Sequence, residues 1–406
     1  MGALLPAALA GNEPLPATFS FSGTAPAGAT AVEASTSYSH DLGYGYDLGT
    51  TPSADNPYYF SIAVPEGDYD VTVTLGDATA ATVTTVKAES RRLMLERIET
   101  APGQFVTRTF TVNVRNASLP ASGDYPASQV LLNPREKGVL HWDDKLTLEF
   151  DGPHSGLVSL TVAPTHAIRV FIAGDSTVTD QPREPWNSWG QSLTRFFGPG
   201  VAVANHAESG ETLKAFIFQR RLEKVLSQIR PGDYLFIQFA HNDMKRNWPA
   251  TYVDAFTTYE AYLKVFIAEA RLRGAIPVLC TPVNRRTFNA QGKITNSLGN
   301  YPAAVRQVAA EEKVPLIDLN AMTKRLYEAM GPAVAKKAFV DGTHSDDYGS
   351  YEVAKCVAEG IRESGLPLAA LLSRDFAGFD PDHPDPIDGF DVPPSPGRSE
   401  VKPLGN

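Results

Sequence analysis

The chain changes its hydrophobic rhythm near residue 165. Before that point, from about Thr18 to Pro164, apolar residues recur at every second position. Phe19-Ser20-Phe21 alternates, and so do residues 69–75, 110–114, 146–150 and 157–162. Successive side chains of a strand point to opposite faces, so a period of two predicts strands with one covered face. Gly, Pro, Asn and Asp fill the intervals, as in Pro65-Glu66-Gly67-Asp68, and predict turns. Two packed antiparallel sheets, an all-β sandwich over 17–164, satisfy this pattern.

After the short hinge Ala163-Pro164-Thr165-His166, continuous apolar runs replace alternating ones. They recur at 170–172, 201–204, 234–239, 276–279 and 314–317. Such runs suit strands buried on both faces. Helical patterns lie between them. The clearest spans 252–272, where Phe256, Tyr259, Tyr262, Leu263, Phe266 and Ile267 share one stripe and Gly274 marks the stop. Residues 302–310 and 351–361 read as further helices. Strands alternating with helices predict an α/β domain over 165–374. Its parallel five-stranded sheet is covered on both faces, in three α/β/α layers of the flavodoxin-like kind. Residues 375–406, rich in Pro and Asp, read as a solvated, extended tail. The spacing of its acids (Asp380, Asp382, Asp385, Asp388 and Asp391) fits no calcium loop.

Length and charge narrow the reading. At 406 residues the chain exceeds one ordinary domain, in line with the change of rhythm. A net charge of −10 without any basic run argues against nucleic acid or anionic lipid as the main partner. An acidic polysaccharide stays compatible, since its site needs only a local basic group. Apart from the N-terminal stretch, no apolar run is long enough to span a membrane. Ala3 to Gly11 resembles the end of a secretory signal, with a cleavage-like Ala8-Leu9-Ala10 but no basic residues before it. The protein is therefore expected outside the cell or in the periplasm, with residues 1–16 a residual signal and linker. The two cysteines, Cys280 and Cys356, read as buried free thiols rather than a disulfide. In the sandwich, Tyr44, Tyr46, Tyr58, Tyr59 and Trp142 offer stacking surfaces for sugar, although core packing is the commoner use of such rings.

Candidate chemistry gathers at the ends of the apolar runs. The first run stops at Gly174-Asp175-Ser176, and in open α/β sheets ligands sit beyond the carboxyl ends of the strands. The second leads to Glu208-Ser209-Gly210, where a glycine ahead of a helix can turn its N–H outward. The third leads to His241-Asn242-Asp243, whose asparagine amide can face a developing oxyanion. Near the C-terminus, Asp341-Gly342-Thr343-His344 spaces a carboxylate to orient an imidazole. Each motif alone is equally well a turn or a cap. Together they supply a nucleophile, oxyanion donors and an oriented base.

These four blocks, Ser176, Gly210, Asn242 and Asp341 with His344, resemble those of the SGNH (GDSL-type) hydrolases. Longer phrases resemble the rhamnogalacturonan acetylesterase family: residues 171–178, Trp189-Gly190-Gln191, Arg230-Pro231-Gly232-Asp233-Tyr234, 236–243, Thr281-Pro282-Val283-Asn284-Arg285-Arg286 and 314–319. The resemblance covers about 169–365. It implies a secreted serine esterase that removes acetyl groups from acetylated rhamnogalacturonan without metal or cofactor. Its triad would be Ser176, His344 and Asp341, and its oxyanion hole Ser176, Gly210 and Asn242. Arg285 and Arg286 are candidates for a galacturonate carboxylate, and Trp248 for a sugar platform. One departure is Glu211-Thr212 after Gly210, where many relatives carry a basic residue and serines. A carboxylate beside the pocket would disfavour an anionic sugar. The alternatives are an acetylxylan or other small-ester esterase of the same superfamily and, in another class, a non-catalytic glycan-binding protein.

Overall fold

The computed structural model describes residues 15–23, 25–53 and 55–403. The signal-like stretch at 3–11 lies outside them. Contacts divide the chain into two compact units.

The first unit comprises residues up to Glu89, together with Met94–Asn116 and Leu140–His166. Among the described residues it holds two five-stranded sheets built mainly from antiparallel pairs. One orders the strands Thr30–Ala31, Ala17–Ser20, Leu157–Pro164, Gly67–Gly76 and Phe105–Val114. The other orders Tyr44–Asp47, Tyr58–Ala63, Lys145–Asp151, Thr82–Ala88 and Arg92–Thr100. The alternating residues supply the core, with Phe19, Phe60, Val71, Val73, Leu148 and Leu160 fully buried. Tyr46 and Tyr58 belong to that core too, and Tyr58 stacks on Phe150 at 5.3 Å. Their rings are thus engaged in packing.

The second unit contains the remaining chain from Ala167 onward. Its sheet is fully parallel, in the order Val201–Asn205, Ile168–Gly174, Tyr234–Gln238, Ile276–Cys280, Leu316–Ile317. Alternate residues of each strand feed two separate cores, one per face. Val170, Ile172, Val203 and Phe236 pack on one side, against the Leu319–Lys337 and Asp347–Glu363 helices. Phe171, Ala173, Leu235 and Ile237 pack on the other, against Glu260–Leu272 and Tyr301–Glu312. The helical pattern at 252–272 resolves into a π-helical turn, Ala255–Tyr259, followed by the α-helix. Cys280 and Cys356 are buried and unbonded to each other.

The unit is not contiguous in sequence, unlike the division that periodicity suggests. Ser90–Leu93 and Ala117–Val139 belong to it, although both lie within the stretch assigned to the sandwich. Arg92 forms a buried ion pair with Asp180 at 2.7 Å, and Arg91 pairs with Glu184 and Asp347. Lys224 Nζ donates to Ser118 O at 2.6 Å. The tail also departs from a solvated strand. Phe376, Phe379 and Phe390 pack on the core. Glu184 and Ser399 exchange backbone contacts with the 397–399 segment and Glu184 respectively, Glu184 N–H meeting Gly397 O and Ser399 N–H meeting Glu184 O, both at 2.7 Å. Isolated aromatics and main-chain groups hold it, and neither leaves a period in the sequence.

Candidate active site

The strand Ile168–Gly174 turns sharply at a residue that must lack a side chain. A Cβ on Gly174 would lie 2.8 Å from Val178 Cγ2 and 2.9 Å from Gln238 O. The turn that follows carries Ser176. Its hydroxyl donates to His344 Nε2 at 2.8 Å. His344 Nδ1 lies 3.0 Å from Asp341 Oδ2, so a proton on Nδ1 leaves Nε2 as the acceptor for the hydroxyl. Asp341 Oδ1 also accepts from the N–H groups of Thr343 and His344, at 2.7 and 2.8 Å. Burial opposes ionisation of Asp341. The His344 imidazole and the two backbone donors outweigh it and hold the carboxyl well below the usual range. The Trp186 ring stands edge-on to His344 at 5.7 Å and is buried.

Three donors follow this strand and its two neighbours at their carboxyl ends. The N–H groups of Ser176 and Gly210 have no acceptor among the described residues. Asn242 is fully buried and spends one amide N–H on Glu211 O at 3.0 Å, which leaves the other. Glu208 N–H donates to Gly174 O at 3.2 Å and ties the Gly210 turn to the end of the Ser176 strand. Gln181 Nε2 donates to Ser176 O at 3.0 Å, a brace that no sequence motif marks. An arrangement of hydroxyl, oriented imidazole and uncommitted donors can transfer an acyl group.

Next to it lies a second carboxylate–imidazole pair. Asp175 is fully buried; Oδ2 faces His241 Nδ1 at 3.1 Å, and Oδ1 accepts from Thr177 N–H at 3.0 Å. His241 Nε2 meets Val283 O at 3.0 Å. Asp243, also fully buried, accepts from Leu213 N–H at 2.9 Å. Burial, helped by the charge of Asp175, pushes its carboxyl up to about 8.

Glu211 has a buried arginine as counter-charge. It is 2 % exposed, and its Oε1 lies 3.9 Å from Arg221 Nε. Burial pushes its carboxyl up to about 7 against the pull of Arg221. Glu136, Glu208 and Arg221 complete this buried network, which the exposed Arg135 joins from outside. Arg221 pairs with Glu136, and Arg135 Nε donates to Glu208 Oε1 at 2.8 Å.

The candidate sugar contacts are placed as follows. Arg285 is half-buried and donates to Ser297 O at 3.1 Å and His241 O at 3.2 Å. Burial lowers its pKa, with Asp175 opposing. Arg286 reaches Asp341 O at 3.4 Å. Trp248 is half-buried, and the Lys245 ammonium sits 4.5 Å from the centre of its ring. Trp189 is a core residue whose Nε1 donates to Gln238 Oε1 at 2.9 Å.

Residues 172–349 match the GDSL-like lipase/acylhydrolase family. The chain is 44 % identical over 226 residues to rhamnogalacturonan acetylesterase RhgT of Bacillus subtilis strain 168, covering 51 % of this chain and 96 % of that one. It is 38 % identical over 216 residues to the probable rhamnogalacturonan acetylesterase YesY of the same organism, covering 52 % and 99 %. A third relative there, the uncharacterized esterase YxiM, is 25 % identical over 384 residues and covers 87 % and 92 %. The first two matches span about half of this chain, whereas the third spans most of it. The chain thus belongs to the GDSL-like lipase/acylhydrolase family, with the SGNH-hydrolase fold, and is a carboxylic ester hydrolase.

Proposed function

We propose that the protein removes O-acetyl groups from a plant cell-wall polysaccharide, acetylated rhamnogalacturonan above others, and that it acts outside the cytoplasm. The observation that carries this reading is the unbroken hydrogen-bonded series from Ser176 through His344 to Asp341, beside three uncommitted N–H donors. The rhamnogalacturonan acetylesterase relatives support the substrate class. The Arg221 counter-charge beside Glu211 weakens the one sequence objection to an anionic sugar, and Lys245, Arg285 and Arg286 offer positive charge near the site.

In the reaction, Ser176 Oγ attacks the acetyl carbon while its proton passes to His344 Nε2. Asp341 keeps the imidazole in the tautomer that accepts it and stabilises the imidazolium. The N–H groups of Ser176 and Gly210 and the Asn242 amide take the oxyanion; one such donor is typically worth ~3 kcal/mol of barrier. Collapse breaks the bond to the sugar oxygen, which leaves with the proton from His344. Water then attacks the acetyl-serine by the same route, releasing acetate and restoring the hydroxyl.

Acetate release from acetylated rhamnogalacturonan tests this, with acetylated xylan in parallel and Ser176→Ala as the blank. The expected outcome is release from the pectic substrate, a loss of about 10⁴-fold or more in the variant, and stoichiometric labelling of wild-type Ser176 by an organophosphonate. Release from xylan alone would overturn the substrate. Labelling of neither protein, with no release, would leave a glycan-binding protein.

A further inference from the structure

The turn at Glu208–Glu211 contains one peptide unit with two differently used ends. Glu211 N–H returns to Glu208 O at 3.2 Å, and Gly210, third in the turn, has φ +83°. A positive φ at that position marks a type II turn; types I and II differ by a half-rotation of the central peptide. Here the central peptide joins Ser209 to Gly210. Its carbonyl is Ser209 O and its N–H is that of Gly210, and in a trans peptide the two point in opposite directions. Glycine admits both orientations at little steric cost. Something outside the turn has to select one.

Arg135 is placed to do so. Its Nη2 donates to Ser209 O, while its Nε donates to Glu208 Oε1 at 2.8 Å. The two bonds grip consecutive residues of the turn from one planar fork. Arg135 lies in the short Pro134–Glu136 turn of the Ala117–Val139 segment, outside the span that matches the family. That segment is held without it. Glu136 pairs with Arg221 and accepts from Asn133 N–H at 2.8 Å, Leu131 N–H donates to Gln219 O at 3.0 Å, and Lys224 is bonded to Ser118 O.

We propose that Arg135 is a positioning residue of the oxyanion pocket: by holding Ser209 O it fixes the Ser209–Gly210 peptide so that the Gly210 N–H faces the acyl oxygen. This rests on the acyl-transfer reading given above. A charged donor on the carbonyl also polarises the peptide and strengthens its N–H as a donor. Glu208 fixes the guanidinium in turn.

The test compares wild type, Arg135→Met and Arg135→Lys in the full chain, on p-nitrophenyl acetate and on acetylated rhamnogalacturonan, per phosphonate-titrated site. Arg135→Met is expected to lower kcat about ten- to a hundredfold on both substrates, with KM within about twofold. Arg135→Lys, which keeps a charge for Glu208, is expected to recover part of the loss. A lower melting temperature with unchanged kcat per site would overturn the proposal in favour of packing alone. A loss confined to KM on the polysaccharide would overturn it in favour of a substrate contact. Absent acetate release by wild type, or retained release by Ser176→Ala, would instead sink the acyl-transfer reading, whatever Arg135 does.

Discussion

Two aspartate–histidine pairs lie beyond the carboxyl ends of one sheet, and they differ in what meets the far side of the ring. His344 Nε2 meets the Ser176 hydroxyl, which can give up a proton; His241 Nε2 meets the Val283 carbonyl, which has none to give. One proton, on Nδ1, satisfies His344. His241 faces acceptors at both nitrogens, and both contacts are satisfied only when both carry protons. His241 with Asp175 thus has both ring nitrogens engaged by fixed acceptors and braces the strand end. In the proposed reaction, His344 with Asp341 keeps one nitrogen open for proton transfer. The sequence spacing of acid and imidazole therefore says little; the group across the ring decides whether the pair reacts or supports.

Substituting each histidine is the strongest way to break this comparison. His344→Gln is expected to lower kcat by about 10⁴-fold or more and to abolish organophosphonate labelling of the folded fraction. His241→Gln removes one partner of a buried pair, a change that typically costs ~3 kcal/mol of stability. Urea unfolding is expected to register that cost, while the folded fraction still labels at Ser176. Failure of folded His241→Gln to label would place the second pair in the reaction and collapse the distinction.

Asp243 sharpens the comparison because it is a buried carboxyl beside Asp175 without an imidazole of its own. Both are fully buried. Burial would raise Asp175, but the charge and hydrogen bond of His241 hold it low, whereas Asp243 rises to about 8. Between its ordinary value and 8, the folded chain binds a proton that the unfolded chain has lost. Asp243 therefore makes stability fall as pH rises through that window, until it ionises in the folded state near 8. Asp243→Asn cannot ionise and keeps an acceptor for Leu213 N–H. Its unfolding free energy is expected to gain on wild type by about 2 kcal/mol between pH 6 and 8. Parallel pH profiles would show that Asp243 is charged in the folded chain.

Much of this site was legible because the sheet imposes its own punctuation. Buried parallel strands read as unbroken apolar runs, and Ser176, Gly210 and Asn242 each follow one directly. Asp341 and His344 stand three apart, so local spacing announced their pairing, although not what lies across the ring. What escaped the sequence is contact between distant segments. Arg91, Arg92 and Arg135 look like solvated charges until Asp180, Glu184 and Glu208 are found opposite them. Glu211 looked like a pocket wall because nothing near it in sequence announces Arg221 as its counter-charge. The 395–399 stretch, held through backbone groups to Glu184, has a composition that reads as solvated.

The smallest expected effect concerns the same tail. Lys402 Nζ lies 3.6 Å from Asp341 Oδ2, so the reactive pair has a cation of its own, as the bracing pair has Arg285. The lysine side chain is 59 % exposed, against 10 % for the aspartate. A pair with one partner this exposed is typically worth ~0.5 kcal/mol, and salt screens it. Asp341 already receives three hydrogen bonds from His344 and Thr343, so its orientation does not depend on the lysine. Lys402→Ala is expected to change kcat by less than about threefold at low ionic strength. The gap should close near ~1 M salt, where the screening length is about 3 Å. A loss of tenfold or more that persists in salt would mean that the tail holds Asp341 in place, and that the reactive pair is braced as firmly as the buried one.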